Sequence, residues 1–377
     1  LVTTLSAPVP EDRMIDQDAL RAAIGQVEDP EIHKSLAELG MLRDLTVAED
    51  GSVRVLVALT VPGCPLKDKL EGDITAAAQS VDGVGSVAVD FTVMTDDERA
   101  SLSAGLRSGG ADAREITIGA RTRVLTIASG KGGVGKSSVT TNLGVALADA
   151  GKTVGIIDAD VWGFSIPKML GIDRPPTVVD QMIMPPEAHG VRAISMDYFV
   201  QPDQAVIWRG PMLHKALEQF LVDAYWGDID YLLIDMPPGT GDIAISMSQF
   251  LPRAQALVVT TPQPTAQRVA KRAALMANKV NQEVLGVVEN MAWFTGDDGK
   301  QYEIFGSGGG RLLADELGVP LLGQIPLVPA MREGADAGVP VTLAAPDSEA
   351  ASAFGSLAER VDELRPRLRS HPELIIS

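Results

Sequence analysis

The chain has 377 residues, of which 45% are hydrophobic, so it can form two folded domains and is too apolar for a disordered protein. Its formal charge of −18 opposes the phosphate backbone of nucleic acids, and aromatic residues, at 4%, are too few for a base-stacking platform. No apolar stretch reaches the roughly 18 residues of a membrane span, and the N-terminal residues lack a signal-peptide pattern. We therefore expect a cytoplasmic protein with no nucleic-acid or membrane partner.

Residues 15–95 are predicted to form a small α+β domain. Helical spacing runs through DQDALRAAIGQV, and SVRVLVALT alternates Val53, Val55, Val57 and Leu59 as a strand with one buried face does. A helical stretch, PLKDKLEGDITAAAQSV, and a final strand, GSVAVDFTV, complete this domain.

A polar segment at 96–120, rich in small residues, indicates a linker with some helical content. From 121 to about 368, apolar runs alternate with helical stretches, which is typical of a mostly parallel sheet covered by helices on both faces. The predicted strands of this second domain are RVLTIAS, TVGIIDAD, YLLIDMPP, AQALVVTTPQ, VLGVVENM and PLLGQIPL.

A glycine-rich segment, SGKGGVGKSS, stands between the first of these strands and a helical stretch. Its glycines allow backbone N–H groups to face a phosphate, and the following helix directs its N-terminus at the same anion. In the GxxxxGK[ST] pattern, Lys136 contacts the β- and γ-phosphates and the Ser137 hydroxyl ligates Mg²⁺. The segment predicts an α/β P-loop NTPase fold and nucleotide contacts from Gly130, Lys131, Gly132, Gly133, Val134, Gly135, Lys136, Ser137 and Ser138.

Carboxylates end two other predicted strands, at the sheet edge where open α/β sheets bind ligands. Asp235 ends YLLID, the position of a Walker-B aspartate in the Mg²⁺ shell. Asp158 and Asp160 end GIIDAD, for which a solvated strand end is the alternative. We expect the loop of Thr240, Gly241 and Asp242 to sense the γ-phosphate.

Lys131 is a second lysine in a loop whose phosphates need only one. With it, KGGVGKS resembles the loop of the deviant Walker A ATPases, the group of the ParA and MinD partitioning proteins and the nitrogenase iron protein. The resemblance implies that Lys131 reaches a nucleotide in a partner subunit, so that ATP binding is coupled to homodimer formation. A solvated lysine is the alternative.

Further motifs resemble the Mrp/ApbC-type ATPases of iron–sulfur cluster assembly: VIWRGPM, DYLLIDMPPGTGD, VTTPQ, GVVENM, FGSGGG, LGQIP and GADAGVPV. In the first domain, DPEIHKSLAELGML and LTVPGCPLKDKL resemble the small domain often fused in front of them. The resemblance implies slow ATP hydrolysis, with catalysis by Lys131, Lys136 and Asp160, which positions the attacking water. It also implies that Asp158 supports the metal shell and that Asn290 recognises adenine; a polar residue closing a strand is the alternative for Asn290.

The cysteine pattern departs from this family. Its members usually hold a CxxC between ENM and FGSGGG, so that two subunits supply the four thiolates of a [4Fe–4S] cluster. This chain has a single cysteine, Cys64, and a polar turn at 295–299. Asp297 and Asp298 are hard donors that replace thiolates poorly, which argues against the usual bridging cluster.

Cys64 is the candidate iron–sulfur ligand, because PGCP precedes a predicted helix and a helix N-terminus favours the thiolate. The alternative is a small buried hydrophobe. A dimer supplies two such thiols, so a cluster would need further ligands from outside the chain.

Two functions stay open. The first is an ATP-hydrolysing homodimer that binds iron–sulfur clusters and transfers them to client apoproteins, with other assembly factors as partners. The second is an ATP-dependent switch or scaffold without a cluster, which the missing CxxC favours and the PGCP domain opposes. A partitioning ATPase on DNA or membrane fits poorly, because the chain is acidic and its C-terminus lacks a long amphipathic helix.

Overall fold

A computed structural model describes residues 15–106, 116, 118–119, 121–160, 163–199, 210–239 and 242–364. These residues form two compact units. The first holds 15–106 and Val178–Met184, and the second holds the described residues from 116 to Thr177 and from Pro185 to 364. The domain boundaries predicted at 15–95, 96–120 and 121–368 stay predictions.

A three-stranded sheet packed with helices forms most of the first unit. Its elements are α1 (Gln17–Gly25), β1 (Leu42–Val47), β2 (Val53–Leu59), α2 (Lys67–Gln79), β3 (Val87–Val93) and α3 (Asp96–Leu106). β1 is antiparallel to β2, and β2 is parallel to β3. Val53, Val55, Val57 and Leu59 are buried, which confirms the predicted inward face of β2.

Helix α3 occupies the first part of the predicted linker, and its N-terminus explains why. The Thr95 hydroxyl accepts from the Glu98 N–H at 3.3 Å, and the Glu98 carboxylate accepts from the Thr95 N–H at 2.8 Å. This reciprocal capping box satisfies two backbone donors that a helix start otherwise leaves unpaired.

An eight-stranded sheet dominates the second unit. The elements that follow α3 in the chain begin with β4 (Arg123–Ser129), α4 (Lys136–Asp149), β5 (Val154–Asp158), α5 (Ile166–Met169), β6 (Thr177–Val179), β7 (Met182–Met184), β8 (Glu187–Ala188) and β9 (Val191–Ser195). Next come α6 (Gly210–Val222), β10 (Tyr231–Asp235), α7 (Asp242–Phe250), β11 (Gln255–Thr260), α8 (Pro264–Lys279) and β12 (Glu283–Asn290). The last are β13 (Phe294–Thr295), β14 (Gln301–Tyr302), α9 (Gly309–Leu317), β15 (Leu321–Ile325), α10 (Pro329–Ala337), α11 (Val341–Ala344) and α12 (Glu349–Glu363).

The strand order of this sheet is β15-β12-β11-β4-β10-β5-β9-β8, and its neighbours are parallel except β8 and β9. Helices α4 and α12 contribute to the core on one face, and α8 and α9 form a second core with β11 and β12. The predicted fold class, a mostly parallel sheet with helices on both faces, is confirmed.

The sheet brings two predicted carboxylates side by side. In the parallel register, Asp235 at the end of β10 lies opposite Asp158 at the end of β5 and opposite Ile127 in β4. The glycine-rich loop leaves β4 at this same edge. Chemistry-bearing side chains from three neighbouring strands therefore converge where the strands end.

Candidate nucleotide-binding site

The glycine-rich loop is held by close backbone contacts that no larger residue permits. A Cβ on Gly130 would lie 2.2 Å from the Val269 carbonyl carbon. Gly135 has φ +78° and is the N-cap of α4, without a side-chain capping bond, and a Cβ there would lie 2.2 Å from Asn290 Nδ2. The first N–H groups of α4 are thus left for an anion.

The other loop residues complete this cradle. Gly132 and Gly133 are exposed, and Gly133 has φ +80°. Val134 is buried under the loop. Ser138 lies in the first turn of α4, where its carbonyl accepts from Asn142 Nδ2 at 2.9 Å.

Lys136 and Asp235 form the buried centre of the site. Lys136 Nζ lies 2.7 Å from Asp235 Oδ2 and 3.7 Å from Asp160 Oδ2. The hydroxyls of Ser137 and Thr140 donate to the two Asp235 oxygens at 2.6 and 2.8 Å. Thr140 was not predicted; its signal is its place one turn after Ser137 on the same helix face.

Asp158 and Asp160 play different parts in this geometry. Asp158 is fully buried and accepts from the Asp160 N–H at 3.2 Å, the Ser165 N–H at 3.0 Å, the Ile166 N–H at 3.2 Å and the Ser195 hydroxyl at 3.2 Å. Asp160 directs its carboxylate towards Lys136. The membership of Asp158 in a metal shell stays a prediction.

Burial, and to a smaller extent the charge of the Asp235 carboxylate, raise the pKa of Asp158 well above the usual range of a carboxyl group. The Ile166 and Ser165 N–H groups and the Lys136 ammonium act in the opposite direction. Burial and the neighbouring carboxylate thus disfavour the negative charge of Asp158, an effect that a divalent cation bound at this sheet edge would oppose.

Lys131 lies at the rim of the site. Its Nζ is 3.3 Å from Gln263 Oε1, and the Thr261 hydroxyl donates to the same oxygen at 3.1 Å. Its ammonium therefore contacts the N-cap residue of α8 in its own chain. Its predicted role across a dimer stays a prediction.

Asn290 joins the end of β12 to the loop. Its Nδ2 donates to the Val134 carbonyl at 2.9 Å, while its Oδ1 is buried without a hydrogen-bond partner among the described residues. A buried acceptor without a donor is costly unless a ligand supplies one. An exocyclic amino group of a base has that chemistry.

Glu289, the residue before Asn290, is a buried carboxylate that the sequence analysis did not single out. It accepts from the Gly310 N–H at the start of α9 and from Gln324 Nε2 at 2.7 Å. Gly309 and Gly310 allow this approach, because Cβ atoms there would lie 2.3 Å from the Pro262 oxygen and 2.6 Å from Glu289 Cβ. The FGSGGG motif thus attaches α9 to the strand that carries Asn290.

The segment that replaces the CxxC forms a small antiparallel hairpin of β13 and β14. Trp293 Nε1 and the Thr295 hydroxyl donate to the Glu349 carboxylate, at 3.0 and 2.9 Å to Oε2. The Tyr302 hydroxyl donates to Asp298 at 2.9 Å. These side chains fix a polar hairpin.

Cys64 lies in the loop between β2 and α2 and is half-buried. Its carbonyl accepts from the Lys67 N–H at 3.2 Å, so the cysteine immediately precedes the first turn of α2. In the part of the chain that the structure describes, no group of three or more histidine, cysteine, aspartate or glutamate side chains could hold a metal ion.

Some predicted features lie outside the described residues, namely Thr240 and Gly241 of the predicted sensor loop and Trp208 and Arg209 of the VIWRGPM motif. Asp242 begins α7, and Gly210 begins α6. No helix in the described ranges is long and apolar enough to span a bilayer.

The loop, the Lys136–Asp235 centre and the parallel sheet together define a P-loop NTPase. Comparison with known families makes this specific: the chain belongs to the ParA family of NUBPL iron-transfer P-loop NTPases, whose family model matches residues 120–362. The model of an iron–sulfur cluster assembly protein matches residues 17–90. Both resemblances predicted from the sequence are confirmed.

Relatives named iron–sulfur cluster carrier protein match over most of the chain. The protein of Mycobacterium tuberculosis is 48% identical over 358 residues, which cover 92% of this chain and 93% of that protein. The protein of Synechocystis is 41% identical over 355 residues, covering 92% and 97%. That of Bacillus subtilis is 40% identical over 317 residues, covering 83% and 89%.

Solved structures match the second unit's fold. A nucleotide-binding protein from Archaeoglobus fulgidus in complex with ADP is 32% identical, with a TM-score of 0.54 over 66% of this chain and 94% of that one. The cell division ATPase MinD of Pyrococcus furiosus is 28% identical, with a TM-score of 0.50 over 64% and 99%.

Proposed function

We propose that this chain is a cytoplasmic, ATP-hydrolysing homodimer that binds iron–sulfur clusters and transfers them to apoproteins. The observation that carries the proposal is the Lys136–Ser137–Asp235 centre in a chain that is 48% identical to an iron–sulfur cluster carrier protein over 92% of its length. An ATP-binding centre and a cluster-carrier ancestry together favour a carrier whose cargo handling is controlled by nucleotide.

The residues present fit ATP. The glycine loop leaves backbone N–H groups available to phosphate oxygens, because Gly132 and Gly133 are exposed and α4 begins after Gly135 without a side-chain capping bond. The buried Asn290 Oδ1 fits the 6-amino group of adenine, which donates a hydrogen bond. Guanine and hypoxanthine carry an acceptor at that position, so this atom favours ATP.

The donor set also fits Mg²⁺, which prefers oxygen ligands. Ser137 and Asp235 would hold the ion, and Mg²⁺, when bound, neutralises charge on the β- and γ-phosphates. Lys136 would bind the same phosphates, and Asp160 would orient the attacking water. Positioning and charge neutralisation would provide the catalysis, and we expect hydrolysis to be slow, as in switch ATPases generally.

Dimerisation would complete the site through Lys131. In its own chain the Lys131 ammonium contacts the neutral Gln263 amide at 3.3 Å. A phosphate of the partner's nucleotide would replace this neutral contact by a contact between opposite charges, which is stronger. ATP would thereby stabilise the dimer and gate the release of cargo.

The cargo is an iron–sulfur cluster, and Cys64 is the proposed thiolate. Two subunits supply two cysteines, so the other ligands would come from the receiving apoprotein, an assembly factor or a small thiol. A cluster with only two ligands from the carrier suits transfer, because its other ligands can be exchanged without a change in the carrier's own fold.

Anaerobic reconstitution with iron and sulfide tests the proposal, on the full chain, Cys64→Ser and Lys136→Ala in parallel. We expect bound iron and a thiolate–iron charge-transfer band in wild type, their loss in Cys64→Ser, and their retention in Lys136→Ala. Equal iron in wild type and Cys64→Ser would contradict the role of Cys64.

The second candidate is an ATP-dependent switch that carries no cluster. It is favoured by the observation that the described residues hold no group of three or more metal-ligating side chains. Absence of iron from all three proteins, with ATP-dependent dimerisation intact in wild type, would select it.

A further inference from the structure

Asp158 differs from the neighbouring strand-end carboxylate, Asp235, in its hydrogen-bond donors. It accepts from three backbone N–H groups, those of Asp160, Ser165 and Ile166, at 3.0–3.2 Å, and from the Ser195 hydroxyl at 3.2 Å. Oδ1 accepts from Asp160, and the other three donors share Oδ2, whose two lone pairs are thereby occupied. The whole residue is buried.

Asp235 differs in the kind of partner it has. Among the described residues, its oxygens contact only side-chain groups: the Lys136 ammonium and the hydroxyls of Ser137 and Thr140. Side chains of this kind can turn to a metal or a phosphate at little cost. The backbone donors at Asp158 can leave only if the main chain at Asp160, Ser165 and Ile166 moves.

The bonds of Asp158 join two neighbouring strands to one loop. Ser195, at the end of β9, donates to Asp158, and its oxygen accepts from the Asp197 N–H at 3.1 Å. The loop that follows β5 carries Asp160, whose Oδ2 lies 3.7 Å from Lys136 Nζ. Asp158 therefore fixes both ends of the chain around Asp160 to the sheet edge.

We propose that Asp158 is a positioning residue for ATP hydrolysis: it holds the backbone at Asp160, Ser165 and Ile166, with Ser195 as its support, so that Asp160 faces the phosphates, and it does not ligate Mg²⁺. This inference rests on the proposed function, because it assigns a part in the same reaction.

Steady-state ATPase assays on Asp158→Asn, Ser195→Ala and Asp235→Asn, each with Mg²⁺ and ATP varied independently, separate the two roles. The Asp158→Asn substitution replaces one acceptor oxygen by an amide NH₂ group. That group cannot accept the hydrogen bonds of the backbone N–H groups that it faces. We expect kcat to fall about tenfold or more in Asp158→Asn and about two- to fivefold in Ser195→Ala, since a misplaced catalytic group loses rate. KM for ATP and the half-saturating Mg²⁺ concentration should stay within about twofold of wild type in both. Asp235→Asn is the metal control and should raise the half-saturating Mg²⁺ concentration.

A raised Mg²⁺ requirement in Asp158→Asn, with Ser195→Ala like wild type, would overturn the proposal and place Asp158 in the metal shell. Should Asp158→Asn not fold, Ser195→Ala decides alone: a lower kcat at unchanged Mg²⁺ requirement supports the proposal, and an unchanged kcat overturns it.

A second measurement is independent of catalysis. Hydrogen exchange at the Ser165 and Ile166 amides of nucleotide-free protein should be about tenfold faster in Asp158→Asn, and faster in Ser195→Ala, because the loop opens more easily. Unchanged exchange would overturn the positioning role. If instead wild type hydrolyses ATP no faster than Lys136→Ala, the proposed function fails, and the exchange data still decide what holds the loop.

Discussion

Lys136 Nζ lies 2.7 Å from Asp235 Oδ2, and both side chains are almost entirely buried. The carboxylate that would hold Mg²⁺ is thus already paired with the ammonium that would hold the phosphates. A buried charge left without a partner costs several kcal/mol. MgATP would give each of the two side chains a new partner, the phosphates for Lys136 and Mg²⁺ for Asp235. Nucleotide binding would therefore replace the Lys136–Asp235 ion pair by two contacts with the ligand.

Removal of Lys136 should therefore weaken nucleotide binding itself. We expect Lys136→Ala to raise the Kd for MgATP about 10- to 100-fold, or about 1.4–2.7 kcal/mol, because a charge-assisted bond to phosphate is lost. Titration calorimetry measures it, and Lys131→Ala is the matched control in the same loop. A Kd in Lys136→Ala equal to that of wild type would contradict this assignment.

Lys131→Ala should leave nucleotide affinity nearly intact but lower hydrolysis and ATP-dependent dimerisation. Lys131 contacts Gln263 at the rim, whereas the Asp235 partners in the described ranges are Lys136, Ser137 and Thr140, so loss of Lys131 spares the centre of its own site. Gln263→Ala is the control, since it removes the partner and keeps the ammonium. Sedimentation with ATP and turnover rates are the measurements, and an unchanged turnover rate would rule out the role across subunits.

Asn290 should set the choice of base. Its unpaired Oδ1 would accept from the 6-amino group of adenine, whereas ITP presents an acceptor there. We expect wild type to prefer ATP to ITP by at least about fivefold, the worth of one hydrogen bond of about 1 kcal/mol, and Asn290→Ala to lose this preference. Competition binding of the two nucleotides measures it. The same ATP-to-ITP ratio in both proteins would show that another group reads the base.

Asp362 should make part of the stability depend on pH. Hydrogen bonds from Lys152 and Tyr231 hold the pKa of this carboxyl below its usual range. A lowered pKa in the folded state stabilises above the unfolded pKa, near 4, and the contribution is lost as pH falls through the folded value. Asp362→Asn should lower the free energy of unfolding at pH 7, measured by urea titration, by less than about 1 kcal/mol, because the carboxylate is 41% exposed.

The same comparison of unfolding free energies at pH 3 should show a smaller difference between Asp362→Asn and wild type. A difference that stays constant from pH 7 to pH 3 would show that the side chain acts by packing rather than by its charge.

Much of this architecture could be predicted from local sequence pattern. The strands β4, β5, β10, β11 and β12 are buried on both faces over most of their length, so their near-continuous apolar runs stood out. β1, β8 and β9 were missed because they are short or alternate with polar residues, as LRDLTV does in β1. Their pairing depends on neighbours far along the chain.

The site residues likewise divide into those that local sequence pattern predicts and those that only the fold brings together. The loop glycines and Lys136 follow a fixed spacing, whereas the Asp235–Thr140 bond joins residues 95 positions apart and needs the fold. Glu289 offered a signal that was not used: a charged residue inside a buried strand requires a partner, here the N-terminus of α9. Two of the donors of Asp158 come from β9 and α5, which no local pattern links to β5.

Cluster transfer tests the central claim most directly. Full-length protein, reconstituted and freed of loose iron, is mixed with a [4Fe–4S] apoprotein and an iron chelator, with and without MgATP, and recovery of the apoprotein's activity is followed. We predict chelator-resistant activation by wild type that responds to MgATP, and none by Cys64→Ser. Activation that the chelator abolishes, or that Cys64→Ser supports as well as wild type, would contradict the account.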